Sequence, residues 1–263
     1  AWKQLGITMF DLVICMPGSD NSDTFDIARQ IKEKYPKIPL VVLTPFSHGI
    51  TQRMASEDLS IFEYVFCWLG NTDLLVSIIK LIEDKMNLEH DMKEVGVQMI
   101  MLVEDSIRFY SSVLPNLYKF VLRQSQEFAT EALNEHQRTL RMRGRPKIVL
   151  ARSYEEAMGL YKKYSNNTLG IISDARFPHE GVDDPLAGVK LLTEIRRYDP
   201  FVPLILQSAE EENRSYANEL DVQFIDKNSK KMDVDLREAV SASFGFGDFI
   251  FLNPQTMEEV VRV

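Results

Sequence analysis

Several things are scarce in this 263-residue chain. It has two cysteines, Cys15 and Cys67, both inside apolar strand-like runs and without metal-ligand spacing. Buried reduced thiols in a cytoplasmic protein are therefore expected, with a disulfide between them as the minor alternative. No apolar run reaches the roughly 18 residues that a membrane-spanning helix needs. Positive charge is not in excess: the net charge of −9 disfavours a nucleic-acid partner held through phosphates. The four histidines, His48, His90, His136 and His179, share no face and no triad partner, so surface positions are expected. There is no low-complexity tract and no signal peptide. The opening Ala1-Trp2-Lys3 is not a natural initiator, so a fragment or a processed start is expected. What remains is globular, 45% hydrophobic and 26% charged, with length for two ordinary domains.

Short apolar runs alternate with helical periodicity along the chain. Phe10–Cys15, Ile38–Leu43 and Ile61–Phe66 read as strands. Between and after them, Thr24–Tyr35 has Phe25, Ile27, Ala28 and Ile31 on one face, Ser47–Ser56 reads as a weak helix, and Asn71 to Asp73 cap a long helix to about Met92. Leu74, Leu75, Ile78, Leu81 and Ile82 are expected on its buried side. A second unit follows with strands Gln98–Val103, Lys147–Ala151, Leu169–Asp174, Val202–Gln207 and Val222–Ile225. Its helices are Ser106–Arg143, Ser153–Tyr164 (with Ser153 and Glu156 as a capping box), Gly188–Tyr198, Glu210–Glu219 and Val234–Ser243. Pro115 is expected to kink the first of these. Alternation of this kind implies parallel sheets with right-handed crossovers. The tail, 246–263, looks like a hairpin around Asn253-Pro254 that begins a further module.

The two units share an internal repeat. Asp11–Cys15 followed by Ile27–Thr44 resembles Leu169–Ser173 followed by Val189–Ser208. In both copies a basic helix end meets a Tyr and a Pro, another Pro follows two or three residues later, and a strand ends on a hydroxyl residue.

Polar groups gather at the strand ends of the second unit. Glu104 and Asp105 end its first strand, Asp174 the third and Ser208 the fourth, and Lys227 follows the fifth. For Asp174 alone, a turn-starting aspartate is the bland reading. In a five-stranded parallel sheet, however, all these ends face one edge. Three clustered carboxylates repel each other, and Mg²⁺ with oxygen ligands resolves the conflict. Lys227 and Ser208 then supply a charge and a donor for a phosphoryl group on Asp174.

This constellation resembles the receiver domain of two-component response regulators, over about Val97–Ser243. The likeness rests on Leu-Val-Glu104-Asp105-Ser, Ile-Ile-Ser-Asp174-Ala-Arg-Phe-Pro178, Gln-Ser208-Ala and Phe-Ile-Asp-Lys227. The resemblance implies a flavodoxin-like α/β fold with strand order 2-1-3-4-5. It implies Mg²⁺ on Glu104, Asp105, Asp174 and the Arg176 backbone carbonyl, and phosphoryl transfer to Asp174 from a histidine kinase or phosphotransfer protein. By position Ser208 is the hydroxyl that contacts the phosphoryl group, Phe224 the aromatic switch and Lys227 the family's lysine.

Two features depart from the family. Asn228 stands where a proline is usual after the lysine, so an altered loop is expected. About 38 residues of helix, Ser106–Arg143, would reach roughly 55 Å, and a homodimerisation or kinase-docking arm is expected there, with Phe128, Ala132, Leu133 and Leu140 as its sparse apolar stripe. The first unit, 1–93, resembles the same family in degenerate and truncated form: Met16 replaces the phosphoacceptor, Thr44 keeps the hydroxyl, and Cys67 and Trp68 stand near the lysine and proline positions. Its first strand, first helix and second strand do not appear before Asp11, which would leave an open apolar edge unless those residues lie outside this sequence or another chain covers it. Asp20, Asp23 and Asp26 read as capping and dipole residues, and Glu180, Asp183 and Asp184 as a solvated, enlarged loop.

The function implied is a phosphorylatable receiver, 94–245, that switches an output outside this sequence. It is not a turnover enzyme, and neither nucleic acid nor membrane is a direct partner. The alternative is an unphosphorylated interaction scaffold. A haloacid-dehalogenase-type phosphatase would need a second Asp where Arg176 stands.

Overall fold

The structure is a computed structural model that describes residues 5, 7–17, 24–45, 58–130, 144–244, 250–252 and 259–262. The chain divides into two compact units, one of Ala1–Glu83 with Ser106–Pro115, the other of Asp84–Asp105 with Asn116–Val263. The sequence-expected helix Ser47–Ser56, the extension 131–143, Asp20, Asp23, His48, His136 and Asn253-Pro254 lie outside the described residues. Among the described residues no helix is long and apolar enough to cross a membrane.

In the first unit, strands β1 (Val13–Cys15), β2 (Leu40–Pro45) and β3 (Tyr64–Trp68) form a parallel sheet in the order β1-β2-β3. The continuous run Leu40-Val-Val-Leu43 is buried on both faces, as a central parallel strand requires. Helix α1 (Thr24–Lys34) buries Phe25, Ala28 and Ile31 against it. Ile27, expected on that face, is 36% exposed; at 3.6 residues per turn it lies about 200° around the helix from Phe25. The same correction applies to Leu75 on helix α2 (Asp73–His90), which is 37% exposed while Leu74, Ile78, Leu81 and Ile82 are buried. Asn71 caps α2 by accepting from the Asp73 N–H at 2.9 Å. The outer edge of β3 is closed by side chains of Ser106–Pro115: the Tyr110 hydroxyl donates to the Val65 carbonyl, and the Cys67 N–H donates to Ser111 Oγ at 2.9 Å. These bonds occupy backbone groups that an edge strand otherwise leaves open.

The second unit is an α/β domain around a five-stranded parallel sheet. Its strands are β4 (Met99–Val103), β5 (Lys147–Ala151), β6 (Thr168–Asp174), β9 (Leu204–Ser208) and β10 (Gln223–Asp226). They lie in the order β10-β9-β6-β4-β5, which is 2-1-3-4-5 when the strands are counted along the chain. Register pairs Leu102 with Ile172 and Ile172 with Ile205, so these residues share one face. The opposite face, Met99, Met101, Val103, Ile171, Leu204 and Leu206, packs on Ala157 and Tyr161 of α4 (Tyr154–Tyr164) and Leu191 and Ile195 of α5 (Ala187–Tyr198). Helix α3 (Ile107–Thr130) continues through Pro115, α6 (Asn213–Glu219) starts later than the periodicity suggested, and α7 is Met232–Ser243.

Local chemistry accounts for the boundaries. Ser153 Oγ accepts from the Glu156 N–H at 3.2 Å and starts α4. The return bond of the expected capping box goes one residue further back, from the Arg152 N–H to Glu156 Oε2 at 2.8 Å. The segment after Asp174 is solvent-exposed at residues 180–183, as expected, but it is a hairpin and not an irregular loop: β7 (Phe177–His179) pairs antiparallel with β8 (Val182–Asp184). Its two-residue turn is Glu180-Gly181, with φ of 54° and 76°, the left-handed pair that type I′ hairpins need. In the tail, β11 (Ile250–Leu252) and β12 (Glu259–Arg262) pair antiparallel.

A buried ionic cluster sits at the amino-terminal side of β5. Asp84 is fully buried and takes two bonds from the Arg145 guanidinium, at 2.6 and 3.1 Å. Its Oδ2 also accepts from Tyr118 at 2.9 Å and from the Ile148 N–H at 3.0 Å. Lys147 completes the group with Asp91 at 2.7 Å.

Candidate functional site

The site lies at the carboxyl ends of β4, β6, β9 and β10. β4 is a continuous buried apolar run, and β6 and β9 bury their middles and turn polar at their carboxyl ends, whereas β10 is partly exposed along its length. Glu104 follows the fully buried β4 and is itself buried; its N–H donates to the Ala151 carbonyl at 2.9 Å, which extends the strand. Asp105 is exposed at the rim. Asp174 ends β6 and is 8% exposed. Ligand oxygens of Glu104, Asp105 and Asp174 come within 4.8 Å of one another.

The Lys227 ammonium faces these acids. Lys227 Nζ lies 2.6 Å from Glu104 Oε2 and 2.7 Å from Asp174 Oδ2, with the lysine side chain 8% exposed. The second Asp174 oxygen, Oδ1, accepts from the Ala175 N–H at 2.8 Å. Burial pushes the Asp174 carboxyl above its usual range against the pull of Lys227 and the backbone amides. Asp105 is also raised, first by loss of solvent and then by the Asp174 charge. Three acids around the Lys227 ammonium crowd negative charge at this edge of the sheet. The set of close, hard carboxylate oxygens suits a divalent cation such as Mg²⁺, and such a cation would reverse both upward shifts.

Ser208 ends β9 with 3% exposure. Its Oγ accepts from the Glu210 N–H at 3.0 Å and from Asn213 Nδ2 at 2.9 Å, and its carbonyl accepts from the Lys227 N–H at 2.8 Å. Phe224 packs against the core cluster, with the Arg214 guanidinium 4.5 Å above its ring. Arg176 turns its side chain to Asp183, Nε lying 3.0 and 3.1 Å from the two carboxylate oxygens. Asn228 bridges the loop: its N–H donates to Asp226 Oδ1 and its Nδ2 to the Ala209 carbonyl, both at 2.8 Å.

Close backbone packing holds Asp174 in place. The Gly188 N–H donates to the Ala175 carbonyl at 2.9 Å, and a Cβ at Gly188 would lie 1.9 Å from the Asp174 carbonyl oxygen. The side chains of the hairpin after Asp174 are also engaged. Asp184 Oδ2 pairs with Lys190 at 2.7 Å and with His179 Nδ1 at 3.3 Å, and the His179 ring stacks on Tyr154 with centroids 4.1 Å apart. His179 is therefore a packed residue and not a bland surface one. The Asp184 carboxyl is pulled down to about 2, chiefly by Lys190. Glu-Gly between two short β-prone stretches was the one sequence signal for this hairpin.

In the first unit the strand-end positions singled out in the sequence, Met16, Thr44 and Cys67, carry no charge. Met16 is 58% exposed, Thr44 is 7% exposed with its hydroxyl donating to the Pro45 carbonyl, and Cys67 is buried. Burial raises the Cys67 thiol above its usual range. Asp26 pairs with Arg29 at 3.1 Å near the start of α1, as a first-turn acid does.

No protein-family model matches the sequence, and no curated protein does. Solved structures do. One is a response regulator receiver domain protein from Clostridium thermocellum, at 17% identity and TM-score 0.38, covering 57% of this chain and 95% of that one. A LuxR-family two-component response regulator from Aurantimonas sp. SI85-9A1 matches at 17% identity and TM-score 0.36, covering 57% and 86%. The Mn(2+)-bound form of response regulator Rcp1 matches at 18% identity and TM-score 0.33, covering 55% and 92%.

Proposed function

We propose that the second unit is a phosphoacceptor signalling module of the receiver type. The observation that carries this reading is the meeting of Glu104, Asp105 and Asp174 within 4.8 Å, with the buried Lys227 ammonium bridging two of them. An Asp174 carboxylate oxygen attacks the phosphorus of a phosphohistidine donor. A P–O bond forms as the P–N bond breaks, and the imidazole leaves with a proton from solvent. The Ala175 N–H fixes one carboxylate oxygen and so presets the direction of attack. The Lys227 ammonium supplies positive charge to the incoming phosphoryl oxygens, and the Ser208 hydroxyl donates to the phosphoryl group. Mg²⁺ held by Glu104, Asp105, Asp174 and the Arg176 carbonyl would supply the remaining charge neutralisation.

The donor in this reading is a histidine kinase or phosphotransfer protein, and the output lies outside these 263 residues. Phosphorylation adds about −1.5 to −2 charge and biases a two-state change sensed through Ser208 and Phe224. In this reading the module works in the cytoplasm, turns over no substrate of its own, and pairs with a second copy through α3, the long helix after β4. A second reading, an unphosphorylated scaffold, is favoured for the first unit alone by Met16 at the acceptor position.

The test is incubation with acetyl phosphate and Mg²⁺, followed by intact mass. The wild type should gain one phosphoryl group, and Asp174→Asn should gain none. A folded wild type that stays unmodified, or an equally modified Asn variant, would refute the reading.

A further inference from the structure

Gln207 has no place in the chemistry above, yet among the described residues it is a buried side chain whose polar atoms are left over. It is fully buried, and both Oε1 and Nε2 lack a partner. Register pairs Asp174 with Gln207 and Gln207 with Ile225, so the three side chains share one face of the sheet. Lys227, two residues beyond Ile225, returns to that face. β9 lies between β10 and β6, and neighbouring strands are about 4.8 Å apart. To reach Asp174 and Glu104, at 2.7 and 2.6 Å, the Lys227 stem must cross β9 on the side where Gln207 stands.

A divalent cation on Glu104 and Asp174 competes with this ammonium for the same oxygens. The displaced ammonium remains nearly buried, and a buried charge needs an acceptor. The unpaired acceptor along its path is Gln207 Oε1. We propose that Gln207 is a positioning residue, whose side-chain carbonyl takes the Lys227 ammonium when a cation claims the carboxylates. This rests on the metal site of the preceding reading. The amide goes unsatisfied at rest because its partner arrives only in the loaded state.

The experiment is calorimetric titration of the full chain with Mg²⁺ alone, for wild type, Gln207→Leu and Gln207→Met, with urea unfolding in the absence of metal. The apolar variants should be at least as stable as wild type without metal, since an orphaned buried amide is removed, and should bind Mg²⁺ roughly ten-fold more weakly. In a Lys227→Met background the Gln207→Leu effect should vanish, which a merely structural role would not produce. Affinities within about two-fold of wild type for the apolar variants, or an undiminished effect without the lysine, would overturn the proposal. A wild type that binds no Mg²⁺ would instead sink the metal reading, and this proposal with it.

Discussion

The second unit buries two ionic clusters that differ in one respect. Around Asp84, two acids meet two bases: Arg145 and Lys147 answer Asp84 and Asp91, and Tyr118 and the Ile148 N–H occupy a remaining lone pair. Around Asp174, among the described residues, three acids crowd about the Lys227 ammonium, which pairs with two of them. The first cluster is closed, and nothing in its geometry asks for a ligand. The second is held together against repulsion, with two carboxyls pushed upward. Charge imbalance, and not the mere presence of buried charge, separates a structural ion cluster from one poised for chemistry.

The largest test of that contrast removes one charge from each cluster. Arg145→Met strands Asp84 and should cost about 3–5 kcal/mol in urea unfolding. Asp105→Asn relieves repulsion at the other cluster and should raise metal-free stability by up to about 1 kcal/mol. Equal losses from both would break the comparison. Next in size is Gly188→Ala, whose Cβ would meet the Asp174 carbonyl at 1.9 Å. It should cost about 1–3 kcal/mol by overpacking and should also lower phosphoryl uptake on Asp174, which unfolding curves beside the acetyl phosphate assay would show.

Titration sharpens the contrast further. The Asp105 and Asp174 carboxyls are raised above 3.8, so the native state holds their protons longer than the unfolded chain. Their contribution to metal-free stability is therefore best below 3.8 and declines as pH rises through the raised values. Mg²⁺ needs the ionised acids, so its affinity should move the other way and fall as pH drops, with a midpoint above 3.8 in calorimetric titrations. The smallest effect belongs to the hairpin. Asp184, pulled down to about 2, contributes stability that is complete above 3.8 and is lost as pH falls toward 2. Asp184→Asn should cost about 1 kcal/mol near neutral pH, because the pair is partly exposed.

Most of the sheet could be read from the chain because buried parallel strands are continuous apolar runs, and β5, at Lys147–Ala151, matches its expected span. The strand-end acids were legible for the same reason: a charge that ends such a run stands out. Failures came where partners are distant in sequence. Asp84 reads as an ordinary helix acid until Arg145, 61 residues away, is seen beside it. Gln207 reads as a strand-end polar residue until its register with Asp174 is known. Ile27 and Leu75 are apolar residues that face outward, which composition cannot reveal. The hairpin after Asp174 escaped because Glu-Gly is a weak turn signal beside Asn-Gly or Asp-Gly.

The central claim is that the charge-poor cluster makes Asp174 a phosphoryl acceptor. Its most direct measurement is borohydride trapping after acetyl phosphate and Mg²⁺, with the modified position read by peptide mass spectrometry. The account predicts reduction of the aspartyl phosphate to homoserine at position 174, abolished when Mg²⁺ is chelated. Trapping at another carboxylate, or equal trapping without the metal, would contradict it.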